Sequence, residues 1–266
     1  MKIATWNVNS LRVRLGHVIA WLKREQPDIL ALQETKLKDE DFPARELEAL
    51  GYSAIYSGQP GYNGVAIIAR ESAALPHLTI EGFPDPQKRV LAASFGPLRL
   101  WNVYVPNGQS VDSDKYDYKL QWLEAFRAHL AAEVAQHQKL LVVGDFNIAP
   151  DDRDVYDPIA WQGHVLVSPP ERAALAEITK LGLDDLFRRF DQPPDVYSFW
   201  DYRAGFFRRN QGLRIDLILG TESVARACTT VRIDKDPRRW ERPSDHVPVI
   251  AEFTDGALVM SDPHAR

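Results

Sequence analysis

Eight short apolar runs, each long enough for one buried strand, recur along this chain of 266 residues. They read KIATWNV, DILALQ, GVAIIAR, VLAASF, LRLWNVYV, KLLVVGDF, RIDLILG and VPVIAEF. Runs of this length that end at Gly, Pro, Asn or Asp are typical of β-strands. Because strands must bury their apolar faces in sheets, this feature restricts the chain to an α/β (α+β) fold.

Amphipathic helices are predicted between several of these strands, where apolar residues recur at helical spacing. Residues 15–22 and 120–134 both show this pattern. A third helix is predicted to begin at SPPE, residues 168–171, where Ser168 can cap the helix and Glu171 can complete a capping box.

The strands do not alternate regularly with helices. Segments 52–57, 64–70, 90–95 and 98–105 follow one another through short Gly/Pro turns, which predicts antiparallel pairing. One mixed sheet, or two sheets packed face to face with helices outside, satisfies both patterns.

Composition bears on organisation and location. The chain has no Gly/Ser linker, so we predict one catalytic domain over residues 1–254 and a flexible tail at 255–266. Its one cysteine, Cys228, excludes an internal disulfide, and no stretch approaches a membrane span. We therefore expect a monomeric cytoplasmic protein with no membrane partner.

Charge is segregated along the chain. The net charge of −5 argues against nonspecific coating of polyanions. Four arginines nevertheless fall within residues 202–215 without an acid among them, and KDPRRWER spans 235–242, whereas acids concentrate at 151–157. Such segregation can focus an anion at one site.

Polar side chains stand at the ends of six strand-like runs, the position where α/β folds usually build sites. They are Asn7, Glu34, Tyr104, Asn107, Asp145, Asn147, Asp216, Asp245 and His246. Simpler explanations exist for each: a turn at Asn7, a surface ion pair at Glu34, an Asx-turn from Asp145 to Asn147. Asp216 lies between Ile215 and Leu217, where a carboxylate needs a partner, and His246 is the natural one.

The combination restricts the chemistry. Cys228 lacks the context of a thiol nucleophile, and the chain has no G-x-S-x-G elbow, no P-loop and no His/Cys cluster at zinc spacing. Oxygen donors dominate the set, and they suit Mg²⁺ or Mn²⁺. A hard cation with an Asp–His pair and amides suits phosphodiester hydrolysis.

Eight motifs in one order make the chain similar to a known family. WNVNSLR, LQETK, NGVAI, VYVPNG, GDFNIAP, DYR, GLRIDLIL and PSDHVPV resemble the exonuclease III family of abasic-site endonucleases, within the DNase I-like endonuclease/exonuclease/phosphatase superfamily. The resemblance runs from Ile3 to about Phe253. It implies a four-layer α/β sandwich of two packed mixed β-sheets flanked by helices.

The resemblance also implies roles for the polar residues. Glu34 would be the principal metal ligand, and the other residues of the metal site would be Asn7, Asp145, Asn147 and Asp245. His246, oriented by Asp216, would contact the scissile phosphate. Tyr104 and Asn107 would support that phosphate, and Asn147 would orient the nucleophile. Whether Asp145 activates water or protonates the leaving 3′ oxygen stays open.

Substrate contacts are expected from the basic, aromatic segment YSFWDYRAGFFRRNQGLR. Phe199 and Trp200 would line an apolar pocket for a flipped abasic sugar, and Arg203, Arg208 and Arg209 would touch the DNA backbone. The alternative is that one of the two aromatics belongs to the core. Two departures from relatives, Ser10 in place of glycine and the order Phe-Trp at 199–200, lie near the expected substrate.

The implied function is a Mg²⁺-dependent repair phosphodiesterase, with Mn²⁺ as a substitute cofactor. It would cut 5′ to abasic sites in double-stranded DNA and also act on blocked 3′ ends and as a 3′→5′ exonuclease. Two alternatives remain: a superfamily phosphodiesterase or phosphatase with a non-DNA substrate, and a catalytically silent lesion-binding protein.

Overall fold

Two mixed six-stranded sheets form the centre of the computed structural model, which describes residues 1–258. The first sheet contains β1 (Lys2–Asn7), β2 (Ile29–Gln33), β3 (Ser53–Ser57), β4 (Val65–Ala69), β11 (Cys228–Ile233) and β12 (Val249–Phe253). The second contains β5 (Ala74–His77), β6 (Val90–Phe95), β7 (Leu98–Tyr104), β8 (Leu140–Asp145), β9 (Leu183–Asp185) and β10 (Asp216–Thr221). Their orders are β11-β12-β1-β2-β4-β3 and β5-β6-β7-β8-β10-β9.

Six α-helices accompany the sheets in this part of the chain. They are α1 (Leu11–Glu25), α2 (Ala44–Glu48), α3 (Asp114–Gln136), α4 (Pro158–Trp161), α5 (Pro169–Thr179) and α6 (Glu222–Ala227). The expected capping box at α5 is present, with Glu171 accepting from the backbone of Ser168 at 3.1 Å. Within residues 1–258, none of the helices combines the length and the apolar character that crossing a bilayer requires.

Both faces of each sheet are buried, the inner face against the other sheet and the outer face against helices. Between the sheets, Ile3 and Ile67 of the first pack with Leu100 and Val143 of the second. Helices α1 and α2 cover the outer face of the first sheet, while α3 and α5 cover that of the second. The predicted four-layer α/β sandwich is therefore confirmed, and burial on both faces explains why the strands read as continuous apolar runs.

The predicted antiparallel pairing is present within each hairpin, but the two hairpins belong to different sheets and do not pair with each other. The pairs β3–β4 and β6–β7 are antiparallel, as predicted. Between β4 and β6, however, the chain crosses from one sheet to the other. The only parallel pairs between strands of residues 1–258 are β1–β2 and β7–β8, one in each sheet. The carboxyl ends of β1 and β2 therefore lie side by side at one end of the first sheet, and those of β7 and β8 lie side by side at one end of the second.

A polar clamp joins the two sheets inside the apolar interface. The amide of Asn102 on β7 donates to the carbonyl oxygens of Leu32 and Ala66, both in the opposite sheet, at 2.9 Å each. Gln33 on β2 donates to Asn102 Oδ1 at 2.7 Å. Because buried polar groups are costly without partners, these bonds favour one alignment of the sheets over others.

The structure describes the first four residues of the predicted flexible tail, and they contact the core. Residues 255–258 form a turn, and Leu258 is 1% exposed within the core between the sheets. Asp255 also accepts a hydrogen bond from the amino terminus at 3.0 Å. The remainder of the predicted tail, residues 259–266, lies outside the described residues.

Gly144, one residue before the end of β8, provides a test of how closely the strands approach. Its φ is +147°, and an added Cβ would lie 1.9 Å from the carbonyl oxygen of Val103 on β7. We expect Gly144→Ala to lower the free energy of unfolding by about 3 kcal/mol or more, measured by urea denaturation. Gly16 in α1 is the matched control: its Cβ would meet no atom, so Gly16→Ala should raise stability by about 0.5–1 kcal/mol. Equal effects at the two positions would contradict the packing described.

Candidate active site

The polar residues predicted at strand ends meet at one edge of the sandwich, and Asn7 connects the two sheets there. Its side-chain amide donates to Glu34 Oε1 at 2.9 Å and to Asp145 Oδ2 at 2.8 Å. Asn7 and Glu34 belong to the first sheet's edge, whereas Asp145 ends β8 of the second. One buried amide thus holds two carboxylates from opposite sheets, and Asn7 is not merely a turn residue.

Glu34 lies just past the end of β2 in the left-handed region, with a φ of +52°. Its Oε2 forms an ion pair with Lys36 at 2.9 Å, and its side chain is 18% exposed. Burial alone would raise the pKa of Glu34, but Lys36 and the Asn7 amide outweigh it and lower that pKa. The carboxylate is therefore held in its charged form.

Asp145 and Asn147 form an Asx-turn and contribute to the site as well. Asp145 Oδ1 accepts from the backbone N–H of Asn147 at 2.9 Å, which is the turn considered from sequence alone. The other oxygen, Oδ2, faces Asn7 and accepts from the Asn147 amide at 3.2 Å. Asn147 itself adopts a φ of +50°, a conformation that Asn tolerates better than most residues. The Asx-turn considered from sequence is present, and the roles of Asp145 and Asn147 in the reaction stay predictions.

His246 lies between the two aspartates. Its Nδ1 is 2.8 Å from Asp216 Oδ2, which confirms the predicted partner, and its Nε2 is 3.7 Å from Asp145 Oδ2. Ser198 donates to the same Asp216 oxygen at 2.6 Å. Because Asp216 fixes Nδ1, the Nε2 edge of the ring points into the site.

The pKa values of this group reflect burial and mutual charge. Burial, with the negative charge of Asp216, raises the pKa of Asp145 to about 7, although His246 opposes the rise. Burial would lower the pKa of His246, but Asp216 and Asp145 outweigh it and raise that pKa to about 10. At neutral pH the imidazole is charged, and Asp145 can exchange a proton.

Tyr104 and Asn107 border the site on the side of β7. Burial and the charges of Glu34 and Asp145 raise the pKa of Tyr104 well above its usual range, so its hydroxyl keeps its proton. Asn107 donates to Asn147 Oδ1 at 3.0 Å. Both residues line a groove of about 550 Å³, whose wall also includes Arg89.

Asp245 closes the opposite side through residues that the sequence analysis missed. Its Oδ1 accepts from Asn9 at 3.0 Å, and Asn9 also contacts Tyr202 at 3.4 Å. Arg14 donates to Tyr202 Oη at 3.1 Å. The signal that could have identified Asn9 is its position two residues after Asn7, in the same turn.

The two adjacent aromatics have different roles. Phe199 is partly exposed, and its ring centroid lies 4.8 Å from that of His246, beside the reacting groups. Trp200 is 0% exposed and packs with Tyr197 and Val247, so the prediction that it lines a substrate pocket is wrong. The alternative that one of the pair is core applies to Trp200.

The arginines of the basic segment also divide into two groups. Arg203, Arg208 and Arg209 are exposed, although Arg203 pairs with Asp201 at 2.6 Å. Arg214 is instead buried, and its ion pairs with Asp154 and Asp185 stabilise the fold. That the three exposed arginines contact DNA remains a prediction.

The donor set fits a divalent cation. The carboxylates of Glu34, Asp145, Asp216 and Asp245 gather at this edge, and among residues 1–258 only Lys36 and His246 form ion pairs with them. Asp216 Oδ1 is buried and makes no hydrogen bond. Ligand atoms of Asp145, Asp216 and His246 lie within 4.8 Å of one another. Such an excess of oxygen donors and negative charge suits a hard divalent cation.

Several known proteins are similar to this chain in sequence and in fold. Residues 4–246 match the endonuclease/exonuclease/phosphatase family. The chain is 36% identical to exodeoxyribonuclease III of Haemophilus influenzae, over 95% of this chain and 100% of that protein. The 3′ phosphatase NExo from Neisseria, solved with a product DNA hairpin, is 45% identical with a TM-score of 0.94, covering 96% of this chain and 99% of that one. An AP endonuclease from Archaeoglobus fulgidus is 39% identical with a TM-score of 0.91, covering 95% and 99%.

The raised pKa of His246 predicts how the metal-free protein depends on pH. Because this pKa is above that of an unfolded histidine, about 6.5, the stability it contributes is present below pH 6.5 and lost as pH rises towards 10.

Asp216→Asn removes the nearest charge and should lower the His246 pKa by about 2 units. Histidine NMR titration in EDTA measures this shift. Asp184→Asn, at an exposed pair with Arg189, should leave the His246 pKa unchanged; an unchanged pKa in Asp216→Asn as well would contradict the electrostatic account.

Proposed function

The chain belongs to the exonuclease III-like branch of the endonuclease/exonuclease/phosphatase family, and on this premise we propose that it is a metal-dependent DNA repair phosphodiesterase. Its reaction would be cleavage 5′ to abasic sites in double-stranded DNA, together with 3′-repair and 3′→5′ exonuclease activity. The observation that carries the proposal is the convergence of Glu34, Asp145 and the Asp216–His246 pair from both sheets on one edge. Monomeric state and cytoplasmic location remain predictions.

Proton transfer is assigned to Asp145. Burial raises the pKa of this carboxyl group towards neutrality in the metal-free protein, the direction that favours a general acid or base. The Asn7 bond at 2.8 Å and the Asx-turn fix both carboxyl oxygens, so the group is oriented before substrate arrives.

Charge on the phosphate would be stabilised by donors that are already in place. The charged ring of His246, held by Asp216, presents Nε2 to an anion. The protonated hydroxyl of Tyr104 and the amide of Asn107 face the same region from β7 and the loop that follows. Preorganised donors of this kind usually supply the largest share of transition-state stabilisation.

The metal would be held by Glu34 with Asp245, Asn7, Asp145 and Asn147 around it. When bound, a divalent cation offsets charge on phosphate oxygens and polarises the reacting centre. Asn7 supports this site by holding Glu34 and Asp145 at hydrogen-bonding distance from one amide, so that their like charges remain close.

A DNA substrate is supported by basic side chains in two grooves that share the loop of residues 59–63. Arg89 and Lys115 line the groove of about 550 Å³ beside Tyr104. Arg12, Lys36 and Lys38, with Asp41 among them, line the other groove of about 400 Å³. Grooves with basic side chains can follow a phosphate backbone, and Phe199 beside His246 offers an apolar surface to a flipped sugar.

A second candidate is an enzyme that acts chiefly on DNA 3′ ends rather than at internal abasic sites. The chain is 45% identical to the Neisseria 3′ phosphatase and 39% identical to the Archaeoglobus AP endonuclease. Both activities would use the same catalytic group, so the geometry of that group does not separate them.

Two duplex substrates distinguish these functions: one with a single internal abasic site and one with a 3′ phosphate. The proposal expects both to be processed with Mg²⁺ and neither with EDTA. Processing of the 3′ phosphate alone would favour the second candidate. Binding of the abasic duplex without cleavage of either substrate would support a silent lesion-binding protein and contradict the proposal.

Asp145→Asn should reduce turnover by about 10³-fold or more, because the amide cannot exchange the proton. DNA affinity should stay within a few-fold of the original, since most binding comes from phosphate contacts. Single-turnover cleavage and fluorescence anisotropy measure the two quantities. Glu124→Gln, an exposed change on α3, is the control and should alter neither. Near-normal turnover in Asp145→Asn would disprove the assignment of Asp145.

A further inference from the structure

Lys119 and Glu171 form an ion pair that is completely buried, with both side chains 0% exposed. Lys119 lies on α3 and Glu171 on the first turn of α5, the two helices that cover the second sheet. Lysine and glutamate are almost never fully buried unless they are paired. None of the catalytic roles described above uses either residue.

The lysine connects the pair to the active site through two backbone carbonyls. Besides its ion pair with Glu171, Lys119 Nζ donates to the carbonyl oxygen of Asn147 at 2.7 Å and to that of Asn107 at 3.1 Å. All three donor positions of the ammonium group are therefore used. Its two carbonyl partners belong to the loops that follow β8 and β7.

The two loops are the ones that carry the site's amides, and the amides contact each other. Asn107 Nδ2 donates to Asn147 Oδ1 at 3.0 Å. β7 ends at Tyr104 and β8 at Asp145, and a backbone bond from Val105 N–H to the Asp145 carbonyl at 2.9 Å continues their contact by one residue. The lysine ties together the parts of the two segments that lie beyond this bond, where Asn147 Nδ2 also donates to the carbonyl of Val105 at 3.0 Å.

Glu171 fixes the lysine in turn. Its Oε1 accepts from Lys119 and from the backbone N–H of Leu166 at 3.0 Å, and its Oε2 accepts from the backbone N–H of Ser168 at 3.1 Å. Hydrophobic replacements of a buried ion pair are often neutral or stabilising. Stability alone therefore does not account for a charged pair at this position.

We propose that the buried Lys119–Glu171 pair is a positioning device that sets the position of Asn107 relative to Asn147 beside the scissile phosphate. The proposal rests on the proposed function, because it assigns these amides to phosphate binding and to orientation of the nucleophile. Lys119 and Glu171 act through the two loops and do not touch substrate.

Two variants separate positioning from support of the fold. Glu171→Gln removes one charge but leaves Lys119 able to donate to both carbonyls. The double variant Lys119→Met/Glu171→Gln removes both charges, keeps the side-chain volumes similar, and removes the donor. Because the double variant leaves no unpaired buried charge, it should fold.

Kinetics on a 3′-phosphate or abasic duplex give the first readout. We expect kcat of the double variant to fall about 10–100-fold relative to Glu171→Gln, with KM within 3-fold, because misplaced amides lose transition-state contacts. In an Asn147→Ala background the same double change should alter kcat less than 3-fold, because the Asn147 amide through which the pair acts is already absent. A folded double variant with full kcat, or equal losses in both backgrounds, would overturn the proposal. A double variant that does not fold would overturn it too, because the pair would then serve the fold.

The second readout is independent of activity. Side-chain amide signals of Asn107 and Asn147 should shift or broaden in the NMR spectrum of the double variant and stay close to wild type in Glu171→Gln. If the wild-type protein cleaves neither duplex, the proposed function fails, while the amide signals still decide whether the pair positions the two loops. Unchanged amide signals in the double variant would contradict the positioning role directly.

Discussion

The amide of Asn7 is the interaction on which the site depends most. It donates one hydrogen bond to a carboxylate at the edge of the first sheet and one to a carboxylate ending a strand of the second. Apolar packing between the sheets does not by itself fix their alignment to the precision of a catalytic site. The Asn7 bonds, with the Asn102 clamp deeper in the interface, specify that alignment through groups that are costly to leave unpaired.

Buried negative charge is the second constraint. Asp145 and Asp216 are 1% and 0% exposed and lie on either side of one imidazole. Carboxylates so close can coexist because hydrogen bonds and the charged ring of His246 reduce their repulsion. Several residues here, including Glu34 and Asn147, also adopt left-handed backbone conformations, and such conformations cluster at functional sites. The site thus concentrates charge and backbone strain that the surrounding core must support.

Most of this site could be predicted from sequence because its residues break local rules. A carboxylate at Asp216 inside an apolar run requires a partner, and a single strand-end motif pointed to His246. Other features depend on contacts between distant segments. Phe199 and Trp200 are adjacent and chemically similar, so no local pattern shows that only Trp200 enters the core. Arg214 reads as one of a basic group until Asp154 and Asp185, far along the chain, enclose it. Lys119 looks like an exposed position on an amphipathic helix for the same reason.

The central claim is that Glu34 and Asp145, the two carboxylates that Asn7 holds together, belong to the divalent-cation site of this nuclease. Mn²⁺ binding to the DNA-free protein, followed by electron paramagnetic resonance, tests that claim most directly. The account predicts saturable binding to the wild-type protein and a loss of affinity of about tenfold or more in Glu34→Gln, with the fold intact by circular dichroism. Unchanged Mn²⁺ affinity in a folded Glu34→Gln variant would contradict it.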